Sequence, residues 1–221
     1  DLIWYKEEFG NAKGQDMPYD NYARRIETVT MRSGWDAGDT FVGLHAGDNA
    51  APHSHLDMGS FVMDSQGQRF FLDLGADSYD LGHAHTLYRG RAEGHNCLVI
   101  NPNGQSDQSS TANCAISAFE SKPKGAFAIS DITDAYSKNA DKAVRGIMLT
   151  EDRKSVIVQD ELKLPAPSEV YWFAHTKADI RVAEDGKSAV LTKGGKMLLA
   201  KILEAGDGAE FTVMEPKSMH R

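Results

Sequence analysis

The stretch APHSHLDMGSF, Ala51 to Phe61, sets two histidines one residue apart, with an aspartate two residues beyond the second. On a β-strand His53 and His55 would share a face, because successive side chains alternate. Five of the eight histidines, His53, His55, His83, His85 and His95, fall between positions 53 and 95. Imidazole nitrogen and carboxylate oxygen are both zinc donors, so two or three of these histidines with one aspartate would make a chemically sound tetrahedral set. Asp57 and Asp73 are the carboxylates at hand. Asp73 interrupts the apolar segment FFLDLG, where a buried carboxylate needs a cation or several donors; the alternative is an aspartate accepting backbone hydrogen bonds at a strand end. His95, in EGHNCLVI, opens another strand and is a candidate third ligand. His83 and His85 repeat the one-residue spacing and compete as ligands, but in an irregular stretch where alternation guarantees nothing.

Positioning these groups is a task for strands. After about residue 22 the chain alternates in short β-rich segments, about ten or eleven of them, including RIETVTMRS, TFVGLHAG, GSFVMDS, RFFLDLG, NCLVINP, GIMLTE, KSVIVQDEL and SAVLTK. DSQGQ, TEDRKS, EDGKS and KGGK carry turn chemistry between them, so sequential antiparallel hairpins and an all-β sandwich are expected. Trp172, Phe173 and His175 in VYWFAHT read as core of a late strand. A turn around Gln66 sets Asp73 opposite Gly59. The remaining offset to His55, four residues at about 3.3 Å each, exceeds direct reach, so the strand must bend or bulge, with Gly59 the natural place. Only the first fifteen or so residues carry a weak helical stripe, from Leu2, Ile3, Tyr5 and Phe9, giving a short N-terminal helical or irregular segment. The chain, 1–221, reads as a single β-sandwich domain with residues 1–20 as a connector.

Composition excludes some partners. Net charge −8, from 24 basic and 32 acidic residues, disfavours nucleic acid and other polyanions unless the site supplies local positive charge. No run approaches the roughly 18 apolar residues of a membrane span, and DLIWYKEEFG has no signal-peptide pattern. Cys97 and Cys114 could form one disulfide or none. The start in mid-phrase, without methionine, points to a mature product or a piece of a longer protein. Residues 76–94 form a long irregular loop rich in aromatic and ionisable groups, which favours function over disorder.

The phrases HSHLDMGSFVMDSQGQRFFLDLGADSY and YRGRAEGHNCLVINPNGQ resemble the heparinase II/III-like polysaccharide lyases. The likeness runs from about Tyr22 to Gln105 and continues more weakly through YWFAHTKADIRVAEDGKSAVL. It implies a supersandwich-like β-module that follows an α/α-toroid, with the active cleft between them. It also implies one mainly structural zinc held by His55, Asp73 and His95, with His53 facing the cleft. In that chemistry a uronate is eliminated across C4 and C5: its carboxylate charge must be neutralised, the C5 proton removed and the leaving oxygen protonated. An imidazole at His53 would meet the first need. Tyr88 matches a tyrosine that the family places near the cleft, and Arg89 and His85 join it as candidate substrate contacts, by paired hydrogen bonds or by stacking on a sugar face. The bland alternative is that Tyr79 and Tyr88 pack the loop down and Arg89 is solvated. Gln105 is implied to order the metal region. The family's tyrosine acid or base lies in the toroid, so the isolated chain is expected to be inactive.

The expected partners are therefore an acidic polysaccharide and the upstream toroid, with no nucleic acid and no membrane. A bacterial periplasmic or secreted setting goes with the resemblance, a cytoplasmic one remaining open. Two rivals stand beside it. A cupin-like metalloenzyme would use His55 and Asp57 as a His-x-Asp pair, but Gly59 and Ser60 stand where it needs a glutamate. A non-catalytic carbohydrate-binding or scaffolding sandwich would keep zinc for stability alone.

Overall fold

The computed structural model describes residues 17–102, 107–150 and 152–215. The expected helical stripe within 1–16, and Gln105, lie outside the described residues. Among the described residues, fifteen strands form: β1 (Asn21–Ala23), β2 (Thr28–Arg32), β3 (Phe41–His45), β4 (Gly47–Asp48), β5 (Phe61–Ser65), β6 (Gln68–Phe71), β7 (Leu98–Ile100), β8 (Asn113–Lys122), β9 (Gly125–Asp131), β10 (Lys142–Leu149), β11 (Val156–Lys163), β12 (Val170–Trp172), β13 (Asp179–Val182), β14 (Ser188–Lys193) and β15 (Lys196–Lys201). Two five-stranded sheets, β1-β2-β3-β5-β6 and β11-β10-β9-β8-β4, carry the architecture, beside the pair β12-β7 and the sheet β13-β14-β15. Every pairing is antiparallel. The fold is the expected all-β sandwich.

Alternation places the core. Val29, Met31, Val42, Leu44 and Phe61 of the first sheet face Cys114, Ile116, Ala126, Ala128, Ala143, Ile147 and Leu149 of the second. Large side chains on one sheet thus meet mostly small ones on the other, which lets the layers approach and fill the interior. The third sheet lays Ala189 and Leu191 against Phe70. The hairpin turns follow the sequence signals: Gln66-Gly67 and Gly194-Gly195 both have positive φ at their two central residues, as two-residue hairpins require. Cys97 and Cys114 are both buried free thiols, not a disulfide. No helix among the described residues is long and apolar enough to cross a membrane.

Polar groups staple the layers. Arg153, buried at the β10–β11 turn, donates from Nη1 and Nη2 to the carboxylate of Asp20 (3.0 and 2.8 Å) and from Nε to the Pro123 carbonyl (2.9 Å). Burial alone would raise the pKa of Asp20, but the hydrogen bonds from Arg153, Ser121 and the Arg32 N–H outweigh it and hold the carboxyl below its usual range. Arg145 does the same work deeper in the sandwich. It lies on the inward face of β10, fully buried, and forks onto Asp160 directly across from it on β11, Nε to Oδ1 at 2.7 Å and Nη2 to Oδ2 at 2.8 Å.

Asp107 behaves oppositely to Asp20. Asp107 accepts from the Ile100 N–H (2.9 Å) and from Asn139 (2.5 Å), yet burial outweighs both bonds and pushes its pKa up to about 6. The folded chain therefore binds this proton more tightly than the unfolded chain, whose value is near 3.8. Stability is fully present below the lower value and falls as pH rises through the higher one. At about 1.4 kcal/mol per pH unit, the two-unit gap amounts to roughly 3 kcal/mol. Urea midpoints of wild type and Asp107→Asn, compared from pH 4 to 7, should diverge, with the wild type losing ground as pH rises. Parallel curves would show that Asp107 titrates normally.

Candidate functional site

Residues 49–60 link β4 to β5 and carry His53, His55 and Asp57. This segment is a series of turns, not the strand expected from alternation, and His53 has a left-handed backbone (φ 63°). The shared-face argument for His53 and His55 is therefore corrected: turns, not pleating, aim them. The expected bend at Gly59 is present. Its φ is +84°, and β5 begins only at Phe61. A Cβ at Gly59 would also stand 3.2 Å from Ile132 Cδ1, so both backbone and space call for glycine. A second irregularity, a register shift between Met63 and Asp64, re-aims the end of β6 that leads to Asp73.

Buried amides hold these turns. Gln108 brackets Met58, its Oε1 accepting from the Met58 N–H (3.0 Å) and its Nε2 donating to the Met58 carbonyl (2.9 Å), and Nε2 also reaches Tyr136 Oη at 2.9 Å. Asn96 donates to the carbonyls of Phe61 (2.6 Å) and Leu72 (3.1 Å) and accepts from the His175 N–H (2.6 Å). Arg145 Nη1 completes the frame, donating to the Gly59 and Asn96 carbonyls at 2.7 and 2.8 Å. The framing roles of Gln108, Arg145 and Asp160 were missed in sequence. One signal existed: Arg145 shares the parity of Ala143 and Ile147, so a cation had to face the core. Nothing local marks Gln108.

His95 and Asp73 meet on this frame. His95 is 1% exposed and donates from Nδ1 to Asp73 Oδ2 at 2.6 Å, while Asp73 Oδ1 accepts from the Gly75 N–H at 2.7 Å. One oxygen of Asp73 thus caps the backbone, as the strand-end reading expects, and the other meets a histidine, while the carboxylate itself is more exposed than an interruption of an apolar strand suggested. Burial disfavours the charged form of His95, but the bond to Asp73 and the charges of Asp57 and Asp73 outweigh it and raise its pKa. Burial would likewise raise Asp73, and the bond and charge of His95 pull it down instead. The His55 ring lies beside this pair, its centroid 5.1 Å from that of His95, and burial and the neighbouring His95 lower its pKa.

His95 Nε2 is buried without a well-formed hydrogen bond, the Arg89 backbone giving it no more than a weak one. With Nδ1 committed as donor, a neutral ring carries its lone pair on Nε2, which a cation would satisfy. Two imidazoles and a carboxylate fit zinc in donor type. Among the described residues no three such side chains stand as a ready ligand set, so His55 would have to close on the other two. Asp57 Oδ1 faces His45 Nε2 at 3.7 Å, and the Asp57 charge also acts on the His55 ring.

The long loop is four successive 3-10 turns, Tyr79–Leu81, Ala84–Thr86, Tyr88–Gly90 and Ala92–Gly94. They stack tightly: a Cβ on Gly90 would overlap the Ala84 carbonyl oxygen at 2.0 Å. His53 and His55 border a narrow cleft whose far wall is Asp77, Ser78, Gly82 and Leu87. His85 bridges the two sides by donating from Nε2 to the Ser54 carbonyl at 3.1 Å. Arg89 turns toward the loop, its Nε 3.6 Å from Asp77 Oδ1 and its Nη1 3.5 Å from the Ala76 carbonyl. Tyr88 is half-buried behind the cleft, edge-on to His175 at 6.4 Å, and burial together with Glu93 raises its pKa. His175 itself is buried and donates to the Glu93 carbonyl at 3.0 Å, a hydrogen-bonded interior histidine as expected. Trp172 departs from expectation: β12 pairs only with β7, leaving the indole 37% exposed at the edge of Phe61 and Phe71.

A sequence profile described as Heparinase II/III-like, C-terminal matches residues 29–216. Comparison with curated proteins gives no match. Among solved structures, a mutant of the heparan sulfate lyase HepC from Pedobacter heparinus matches with a TM-score of 0.71 at 16% identity, over 86% of this chain and 30% of that one. HepC itself gives 0.70 at 17% identity, over 86% of this chain and 30% of that one. The heparinase III BT4657 gene product gives 0.62 at 15% identity, over 77% of this chain and 26% of that one. At such identities the likeness is one of fold, and this chain spans about 30% of the length of the first two.

Proposed function

The chain belongs to the heparinase II/III-like family, whose C-terminal domain it matches, and on that premise we propose that it is the β-sandwich module of a polysaccharide lyase. The intact enzyme β-eliminates uronate-containing glycans, and this module supplies one wall of the cleft and a structural zinc. The observation that carries the reading is the buried His95 bonded to the more exposed Asp73, with the His55 ring beside them and His53 at the lip of the adjoining cleft. The much greater length of the solved lyases supports an upstream toroid as partner. The acid or base comes from that toroid, so the chain alone is inactive. Export to the periplasm or beyond suits an enzyme acting on extracellular acidic polysaccharide.

Within the chain, His53 is exposed and can approach the uronate carboxylate, where a hydrogen bond or cationic charge offsets the carbanion character developing at C5. Tyr88, Arg89 and His85 line the substrate's path, with Arg89 exchanging Asp77 for an anionic group of the glycan. His55, Asp73 and His95 hold the zinc, which fixes the turn segment and adds positive potential near His53. His85 keeps the turns carrying His53 and His55 against the long loop.

The lyase reading is tested by absorbance of unsaturated uronate on alginate, heparan sulfate and chondroitin. Product only when a toroid precedes the chain supports it, and no product in any form on any polymer counts against it. The metal is tested separately: the purified chain should bind about one zinc per molecule, the number expected of a single structural site. Asp73→Ala should lose it, and a chelator should lower the thermal midpoint of the wild type but not of the variant. Unchanged metal content in Asp73→Ala would remove Asp73 from the site.

A further inference from the structure

A second cleft, of about 320 Å³, opens at the other end of the first sheet, where β2 turns into β3. β3 runs from Phe41, which lines this cleft, to His45, which faces Asp57, so the two ends lie a full strand apart, roughly 13 Å at 3.3 Å per residue. Arg32 lies opposite Phe41 on the outer face, its guanidinium carbon 3.9 Å from the Trp35 ring centroid and 5.0 Å from that of Phe41. The aromatic rings hold the fork flat, yet its Nε is buried with no hydrogen-bond partner. Other charges in the cleft are already engaged. Arg69 forks onto Asp64 at 2.7 and 2.9 Å, and Asp39 accepts from Ser33 Oγ and the Asp36 N–H. The exposed Asp36 carboxylate is the acceptor left beside the Arg32 donors.

We propose that this cleft binds a neutral pyranose unit, with Arg32 donating to ring hydroxyl oxygens, Asp36 accepting from neighbouring hydroxyls, and Phe41 and Ala37 meeting the apolar C–H face. A fixed guanidinium, a free carboxylate and aromatic surface are the complement of a hydroxyl-rich ring with one apolar side. Three carboxylates, Asp36, Asp39 and Asp64, against two guanidinium groups, Arg32 and Arg69, oppose a phosphate or sulfate and favour an uncharged ligand.

The test is an NMR titration of the chain with cellotriose, and in parallel with a sulfated heparan trisaccharide, following the Trp35 indole N–H. Cellotriose should give a saturable shift, stronger than the sulfated sugar. Arg32→Met, which keeps the apolar stem, and Asp36→Ala, an exposed change that spares the fold, should each weaken binding by about tenfold, the scale of one hydrogen-bonding interaction lost. His55→Ala should leave the Trp35 response unchanged. No saturable shift at Trp35, a response to the sulfated sugar alone, loss of binding in His55→Ala, or full binding in Asp36→Ala would each overturn the proposal.

Discussion

Arg145→Met should lower the unfolding free energy by about 3 kcal/mol, the lower end of the cost of leaving a carboxylate without its buried partner, since Asp160 keeps some exposure. For a chain of this size that is a fall of roughly 10 °C in midpoint. The side chain is fully buried, and burial, which would lower its pKa, is outweighed by the charge and hydrogen bonds of Asp160, so the guanidinium stays charged throughout. Its loss strands Asp160 and also the Gly59 and Asn96 carbonyls, which Nη1 now satisfies. Urea denaturation followed by circular dichroism measures the loss. Replacing both partners, as Arg145→Met with Asp160→Leu, should recover much of it, since an apolar pair leaves no uncompensated charge. A single-variant loss below about 1 kcal/mol, the scale of an exposed ion pair, would mean that the fork contributes no more than one.

In the intact lyase proposed above, His53→Asn should reduce kcat/KM by about 10²-fold or more, the scale of one removed catalytic imidazole or oxyanion contact. Asparagine tolerates the left-handed backbone found at this position and removes the ring that can carry charge. Because His53 is exposed and sits in a turn, the thermal midpoint and zinc content should stay at wild-type values. A fall in rate with unchanged stability and metal separates a cleft residue from a ligand. A decrease below about threefold, which is under 1 kcal/mol of transition-state stabilisation, would take His53 out of the chemistry.

Local signals were enough for the hairpins and for the core. Turn residues at Gln66-Gly67 and Gly194-Gly195, and the alternation of Val29 with Met31 and Val42 with Leu44, encode their own geometry within a few residues. Strand β8 was harder to see, because it is built on small residues and its pairing register shifts between Ile116 and Ala118, which breaks the alternation. β4 escaped because a two-residue strand has no period to detect, whereas β7 and β12 were legible in NCLVINP and VYWFAHT but their pairing, between segments far apart in sequence, was not. At the site, residue types pointed to a cluster of histidines with Asp57 or Asp73, the family resemblance singled out His55, Asp73 and His95 from it, and the required bend pointed to Gly59. The direction of His53 did not follow, since a positive φ cannot be inferred from a histidine. The amides of Asn96 and Gln108 act on backbone far away in sequence, Phe61 and Met58 among them, and no spacing rule reaches that far.

The pairing of β7 with β12 joins Leu98 to Trp172, and the Asn96 side chain bonds the backbone of residues 61, 72 and 175. Closing such loops costs chain entropy before any contact repays it, and long-range β pairing is slow for that reason. The histidine site is therefore expected to form late in folding. Hairpins such as β5–β6 can form on their own, but His95 acquires its fixed surroundings only after a segment some eighty residues downstream has arrived. During synthesis the ribosome must have released residues through at least His175 before the site can assemble, so a nascent chain shorter than that carries the histidines without the centre.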